Sequence, residues 1–138
     1  MMKGCYWLIF ISLLLSCDKV KQQQNKIEGL WTLNEYHEFI HDSSIKQYEV
    51  VEGETYFQAY NKKPDPCYFG INFNCISKED TISQQFSGCY RIDNDKRIVF
   101  EMSADTVLGE ITHSSKNHLV FRARFMQDLT SVLSLKRN

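Results

Sequence analysis

His37-Glu38-Phe39-Ile40-His41 is the stretch of this 138-residue chain whose residue types and spacing most directly suggest chemistry. On a helix, histidines at i and i+4 share one face and can hold a zinc ion, while the glutamate activates the metal-bound water for hydrolysis. On a strand the same two histidines lie about 13 Å apart, too far for one metal whose bonds to nitrogen are about 2 Å. Leu33, Tyr36, His37 and Ile40 allow a helical stripe, while Trp31 and Leu33 alternate as a strand does. No helix-capping residue stands at the right place before the segment, and Asp42-Ser43-Ser44 after it reads as a turn. A strand is therefore expected, and zinc-dependent hydrolysis through His37 and His41 is the lesser alternative.

Cysteine is the other reactive type. Cys67 and Cys75 sit eight residues apart on one extended segment and cannot pair with each other. A turn near Ser77-Lys78-Glu79-Asp80 could bring Cys67 opposite Cys89 as a disulfide; the other reading is three buried thiols acting as small apolar residues. The chain has no C-x-x-C, no G-x-S-x-G and no glycine-rich phosphate loop. No catalytic residue and no cofactor is expected.

The elements that must position these residues read as strands. From Ile27 onward the chain is rich in β-branched and aromatic residues, with turn formers about every ten residues, the spacing of an all-β sandwich or barrel. Strands are expected near Leu30–Ile40, Glu54–Asn61, Cys67–Ile76 and Ile82–Ile92, then Arg97–Met102, Thr106–Thr112, His118–Met126 and Thr130–Arg137. Phe69, Ile71 and Phe73 share one face; so do Ile98, Phe100 and Met102, and Leu119, Phe121, Ala123 and Phe125. One apolar face per strand, with short connections, predicts an antiparallel sheet closed around a single core, which removes its exposed edges.

The first 26 residues are different. Lys3 precedes an apolar run, Cys5–Leu15, too short for a membrane-spanning helix and right for the core of a secretory signal. Leu14-Leu15-Ser16-Cys17 resembles the bacterial lipobox. That resemblance implies a signal over 1–16 that is cut before Cys17, diacylglyceryl and palmitate-type acyl chains on Cys17, and a lipoprotein of the cell envelope. Two or three acyl chains give stable anchoring where one gives only marginal binding. The outer membrane and the periplasmic face of the inner membrane both remain open as its place. Residues 17–26, with three consecutive glutamines, read as the lipidated cysteine and a flexible tether before a single domain over 27–138.

Gly29-Leu30-Trp31 resembles the G-x-W that opens the first strand of lipocalins and the wider calycin group. The closing Leu133-Ser134-Leu135-Lys136-Arg137 resembles their last strand, which lays a basic side chain over that tryptophan. Phe86-Ser87-Gly88-Cys89-Tyr90 resembles the G-x-Y strand of small bacterial lipocalin-like lipoproteins. The resemblance implies an up-and-down barrel of about eight strands with Gly29, Trp31 and Arg137 as its structural signature. Strand direction then puts Phe73, Phe86, Met102, Phe125 and Leu133 nearest the open mouth, as the candidate ligand contacts. Trp31, Ile92, Leu119 and Leu135 plug the closed end.

The chain carries 16 Lys and Arg against 17 Asp and Glu, a net charge of −1, and its pI is about 6.4. That balance lacks the overall basic field of non-specific nucleic-acid binding, so no nucleic-acid partner is expected. The leading expectation is a lipid-anchored, non-enzymatic binder of a small hydrophobic or amphipathic molecule. The alternative is an envelope protein-interaction module whose barrel interior is filled.

Overall fold

The computed structural model describes residues 19–40, 44–58, 68–78, 80–126 and 128–137. Eight strands run in sequence: β1 Gly29–Ile40, β2 Ser44–Phe57, β3 Tyr68–Ile76 and β4 Thr81–Asn94, then β5 Arg97–Glu101, β6 Thr106–Ser114, β7 His118–Met126 and β8 Leu129–Lys136. Each pairs antiparallel with its neighbours in sequence, and β1 pairs with β8, so the sheet is a closed up-and-down barrel. The eight-stranded antiparallel barrel expected from the sequence is the fold. The second strand departs from expectation. It starts at Ser44, ten residues before Glu54, because Lys46 and Tyr48 pair in register with β1 and the strand continues along β3 through Val50 and Gly53.

Two bulges set which side chains point inward. On β1 the pairing shifts between Leu33 and Tyr36, and Asn34 and Glu35 are both exposed. One extra residue in a strand reverses the alternation beyond it. Trp31 and Leu33 point inward before the bulge, and Tyr36 and Glu38 after it. On β2 the shift falls between Val50 and Glu52, so Tyr48 is inward above it and Gly53, Thr55 and Phe57 below it. Gly53 fits because a Cβ there would stand 2.6 Å from the Leu33 Cβ. The two strands cross at this point without room for a side chain.

The end at Trp31 is closed. Trp31, Phe57, Phe69, Tyr90, Phe100 and Phe121 are all buried, with Phe57 edge-on to Tyr90 at 5.1 Å and Phe69 edge-on to Phe100 at 4.8 Å. Beneath them lies a helix that the sequence reading missed. Residues 19–27 are helical, α1, rather than a flexible tether. Val20, Gln23 and Ile27 form its inner face; Ile27 is fully buried. The Gln23 amide donates to the Asp95 carbonyl (2.9 Å), and its oxygen accepts from the Ser114 hydroxyl (3.0 Å), so its burial leaves neither group unpaired. Glutamine and lysine are good helix formers, which lets three inward contacts hold the turns.

The C-terminal end of α1 is held by the first and last strands of the barrel. The Trp31 indole donates to the Ile27 carbonyl (2.7 Å). Arg137 donates to the Lys26 and Glu28 carbonyls at 2.8 and 2.7 Å, and its guanidinium lies over the Trp31 ring, 4.2 Å from the centroid. These bonds satisfy carbonyls that a helix end otherwise leaves open. Gly29, with φ 116°, makes the turn from α1 into β1, a backbone angle other residues rarely adopt. Cys17 and the rest of the leader lie outside the described residues.

Candidate functional site

The opposite end of the barrel, where β1, β3, β5 and β7 finish, is the end expected to be the mouth. The turns around it are Ser77–Asp80, Met102–Asp105 and the Asp128 corner. Inward-facing apolar residues here keep partial exposure: Val50, Ile82, Phe86, Met102 and Phe125. Phe86 on β4 and Phe125 on β7 are three strands apart yet stack at 4.7 Å with planes 18° apart. Phe125 also packs on Phe100 at 5.1 Å, and the Gln84 amide reaches the Met126 sulfur at 3.4 Å. Together these contacts bridge the mouth from β4 to β7.

Below one side of the mouth is a polar cluster in the interior. Glu38 is 3% exposed. Tyr36 donates its phenol to Glu38 Oε1 (2.9 Å) and Tyr48 donates to Oε2 (3.1 Å), while the Ser131 hydroxyl lies 3.0 Å from the Tyr36 oxygen. With the Tyr36 proton directed at Glu38, Ser131 donates to Tyr36, and the four groups form one chain of hydrogen bonds. A buried carboxyl without such partners would cost several kcal/mol. The strand register explains the grouping: Tyr36 stands across from Tyr48 on β2, and Glu38 across from Ser131 on β8.

The electrostatics follow from burial. Tyr36 is held well above the usual phenol range by desolvation, and Glu38 beside it adds to the effect. Tyr48 is raised for the same leading reason. Cys75, fully buried on β3, is pushed up to about 11 by burial and by Glu38. Lys46 stands across from Glu38 at the rim, with its ammonium 5.4 Å from the Tyr48 ring centroid and ion-paired with Asp80. Hydrogen bonding to Asp80 is the main reason the lysine is held further toward its charged form. The site thus offers a carboxyl, two phenols and a rim ammonium beneath an aromatic cover.

The five candidate contacts read from the sequence separate by depth. Phe86, Met102 and Phe125 lie at the mouth, half-buried. Phe73 is almost wholly buried against Tyr36, ring centroids 4.6 Å apart, and Leu133 is fully buried across from Tyr36. The sequence reading missed Tyr36 and Glu38 because unbroken alternation from Trp31 turns them the other way, Tyr48 because its strand was expected to begin only at Glu54, and Ser131 because a serine on the inward face of β8 carries no signal without its partners. The signal for the bulge was there, in two adjacent polar residues, Asn34-Glu35, between apolar alternations.

One expectation holds and another changes. Residues 37–40 belong to β1, with Glu38 inward and His37 half-exposed, 3.5 Å from Glu35. The helix that the zinc arrangement requires is therefore not formed there, and His41 lies outside the described residues. Cys89 is a free thiol whose partner across β3 is Tyr68. The register is thus one residue away from the expected Cys67–Cys89 pairing; Cys67 itself lies outside the described residues.

A concavity runs over the outside of the barrel. It is a groove of about 1010 Å³ across the outer faces of β1, β8, β7, β6 and β5. Its floor includes Phe39, Val132 and the exposed Leu108, and its walls carry Arg97, Arg122 and Arg124. Glu110 in the same groove is ion-paired with Arg122 at 2.6 Å.

No protein-family model matches this chain, and no curated protein does. Among solved structures it is similar to a redesigned beta barrel, at 14% identity and TM-score 0.46, over 84% of this chain and 95% of that one. It is also similar to the bovine lipocalin allergen Bos d 2, at 15% identity and TM-score 0.44, over 83% of this chain and 75% of that one. Likenesses this distant add nothing to what the strand order establishes.

Proposed function

We propose that this protein is a lipid-anchored lipoprotein of the bacterial cell envelope that binds a small amphipathic molecule, without catalysis, at the mouth of its barrel. The observation that carries this reading is the distribution of residual exposure. Inward side chains at the closed end are buried, whereas Val50, Ile82, Phe86, Met102 and Phe125 at the mouth are not fully covered. The apolar part of a ligand would replace the Phe86–Phe125 contact, and its polar end would meet Lys46, Tyr48 and Glu38. A few placed polar groups beside an apolar lining is the usual composition of a small-molecule site. The anchor part of the reading rests on the lipobox resemblance at Leu14–Cys17. Titration with a neutral apolar fluorophore such as N-phenyl-1-naphthylamine tests the binding: saturable enhancement supports it, and none over the soluble range of the probe removes it.

The outer groove favours a second reading, a protein-interaction module with a filled interior. A partner there would lay an apolar side chain on Leu108 and Val132 and acidic groups on Arg97 and Arg124. The probe test with variants separates the two readings, because a probe held in the outer groove would depend on Leu108 and not on Phe86 or Phe125.

A further inference from the structure

The two ends of the barrel carry opposite charge although the chain is nearly neutral. At the closed end the outer side of α1 exposes Lys19, Lys21 and Lys26, and the adjoining turns and strand starts expose Lys96, Arg97 and Lys116. The acids nearby are fewer: Asp93, paired with Arg91; Asp95; Glu28, half-buried; and Glu110, across from Arg97 and paired with Arg122. At the mouth, each described turn carries an exposed aspartate, Asp80, Asp105 and Asp128, with Glu49 and Glu52 on β2 close by. Lys78 and Arg124 are the exposed bases among them, and Lys46 is committed to Asp80.

The chain also leaves at the basic end. Lys19 is the first described residue, on the helix beneath the barrel, and the apolar run and Cys17 precede it in sequence. We infer that the closed end, formed by the outer side of α1 and the turns at Lys96 and Lys116, is a docking surface for an anionic lipid bilayer. The inference deepens the reading of the protein as membrane-anchored. Basic side chains near a surface of anionic lipid each strengthen binding by roughly fivefold at physiological salt, and the attraction falls off within a Debye length. Residues 19–27, being a helix fixed to the barrel by Gln23 and Ile27, cannot act as a loose spacer. They hold the basic end against the bilayer, the acidic end is repelled from it, and the mouth faces away from the membrane. A ligand would reach the mouth from the aqueous side.

The experiment uses the full, processed protein on vesicles of phosphatidylcholine, with and without phosphatidylglycerol. Lysines are acetylated briefly and each site is read by peptide mass spectrometry, with Lys78 at the mouth as internal reference. Adding the anionic lipid is expected to slow labelling of Lys21, Lys26, Lys96 and Lys116 by about fivefold or more relative to Lys78, an effect lost at high salt. Equal relative rates on both vesicles, or slower labelling at Lys78 instead, would overturn the inference. In K21E/K26E, whose altered side chains are exposed, the protection of Lys96 and Lys116 should also fall; protection retained there would overturn it as well. Sedimentation with vesicles in high salt reports the anchor separately. A chain that fails to sediment there lacks the anchor, while the labelling at low salt still decides the docking surface.

Discussion

The Arg137 guanidinium lies over the Trp31 indole while donating to two carbonyls at the end of α1. One side chain thereby joins the last residue of the barrel's final strand region, the first strand and the helix beneath them. Trp31→Ala should destabilise the domain by about 3 to 5 kcal/mol, because it empties a buried aromatic site and orphans the Ile27 carbonyl. Arg137→Ala should cost about 1 to 3 kcal/mol from its charged hydrogen bonds. Urea unfolding measures both. In a double-mutant cycle the two changes should be less than additive, since the cation–π contact is lost with either.

The interior cluster predicts a loss of stability in alkali. The Tyr36 phenol is raised in the folded state, so above pH 10 the unfolded chain releases a proton that the folded chain keeps. The Tyr36 contribution is then complete below pH 10 and declines as the pH rises beyond it. Cys75 acts in the same direction over a lower window, from its unfolded value of 9.0 up to about 11. Urea midpoints from pH 8 to 11 should fall for the wild type, and the fall should be shallower in Tyr36→Phe. Glu38→Ala should cost about 2 to 4 kcal/mol at pH 7, since it removes the acceptor for two buried phenols. Glu38→Gln, which keeps an acceptor, should cost less.

The barrel was legible in the sequence because most strands keep a clean alternation, as in Phe69-Ile71-Phe73 and Leu119-Phe121-Ala123. The polar cluster was not, for a local reason. A single inserted residue near Asn34-Glu35 turns every later inward position of β1 by one, and so exchanges His37 for Glu38. A second insertion at Val51-Glu52 does the same to β2. Helix α1 escaped notice because Gln23, a polar residue, occupies the middle of its buried face. Its burial depends on Asp95 and Ser114, more than seventy positions away. Local pattern cannot report a partner at that distance.

Anchoring predicts a specific failure. If Cys17 carries the lipid, Cys17→Ser should leave the signal uncut and the protein mislocalised, and metabolic labelling with fatty acid should disappear. Labelling that persists in this variant would move the acyl chains elsewhere. With Cys17 lipidated, the described part of α1, which begins at Lys19, would leave the barrel little slack from the bilayer. Inserting a flexible glycine-serine segment between Cys17 and Lys19 should leave fatty-acid labelling intact.

The mouth gives the most discriminating prediction. Phe86 and Phe125 meet face to face from strands on either side of the opening, and both are half-buried. Replacing either with glutamate puts a charge in the path of an apolar ligand at a position that still reaches water, so the fold should survive. Uptake of the neutral fluorophore should then be abolished. Phe125→Leu, which opens the stack without adding charge, should keep or strengthen it. Changing Leu108 to glutamate on the outer groove should leave it untouched, since Leu108 points away from the interior. If Leu108→Glu removes probe binding while the Phe86 and Phe125 variants keep it, with all three folded by circular dichroism, the probe binds the outer groove. The barrel would then act through its outside surface, and the interior aromatics would serve packing alone.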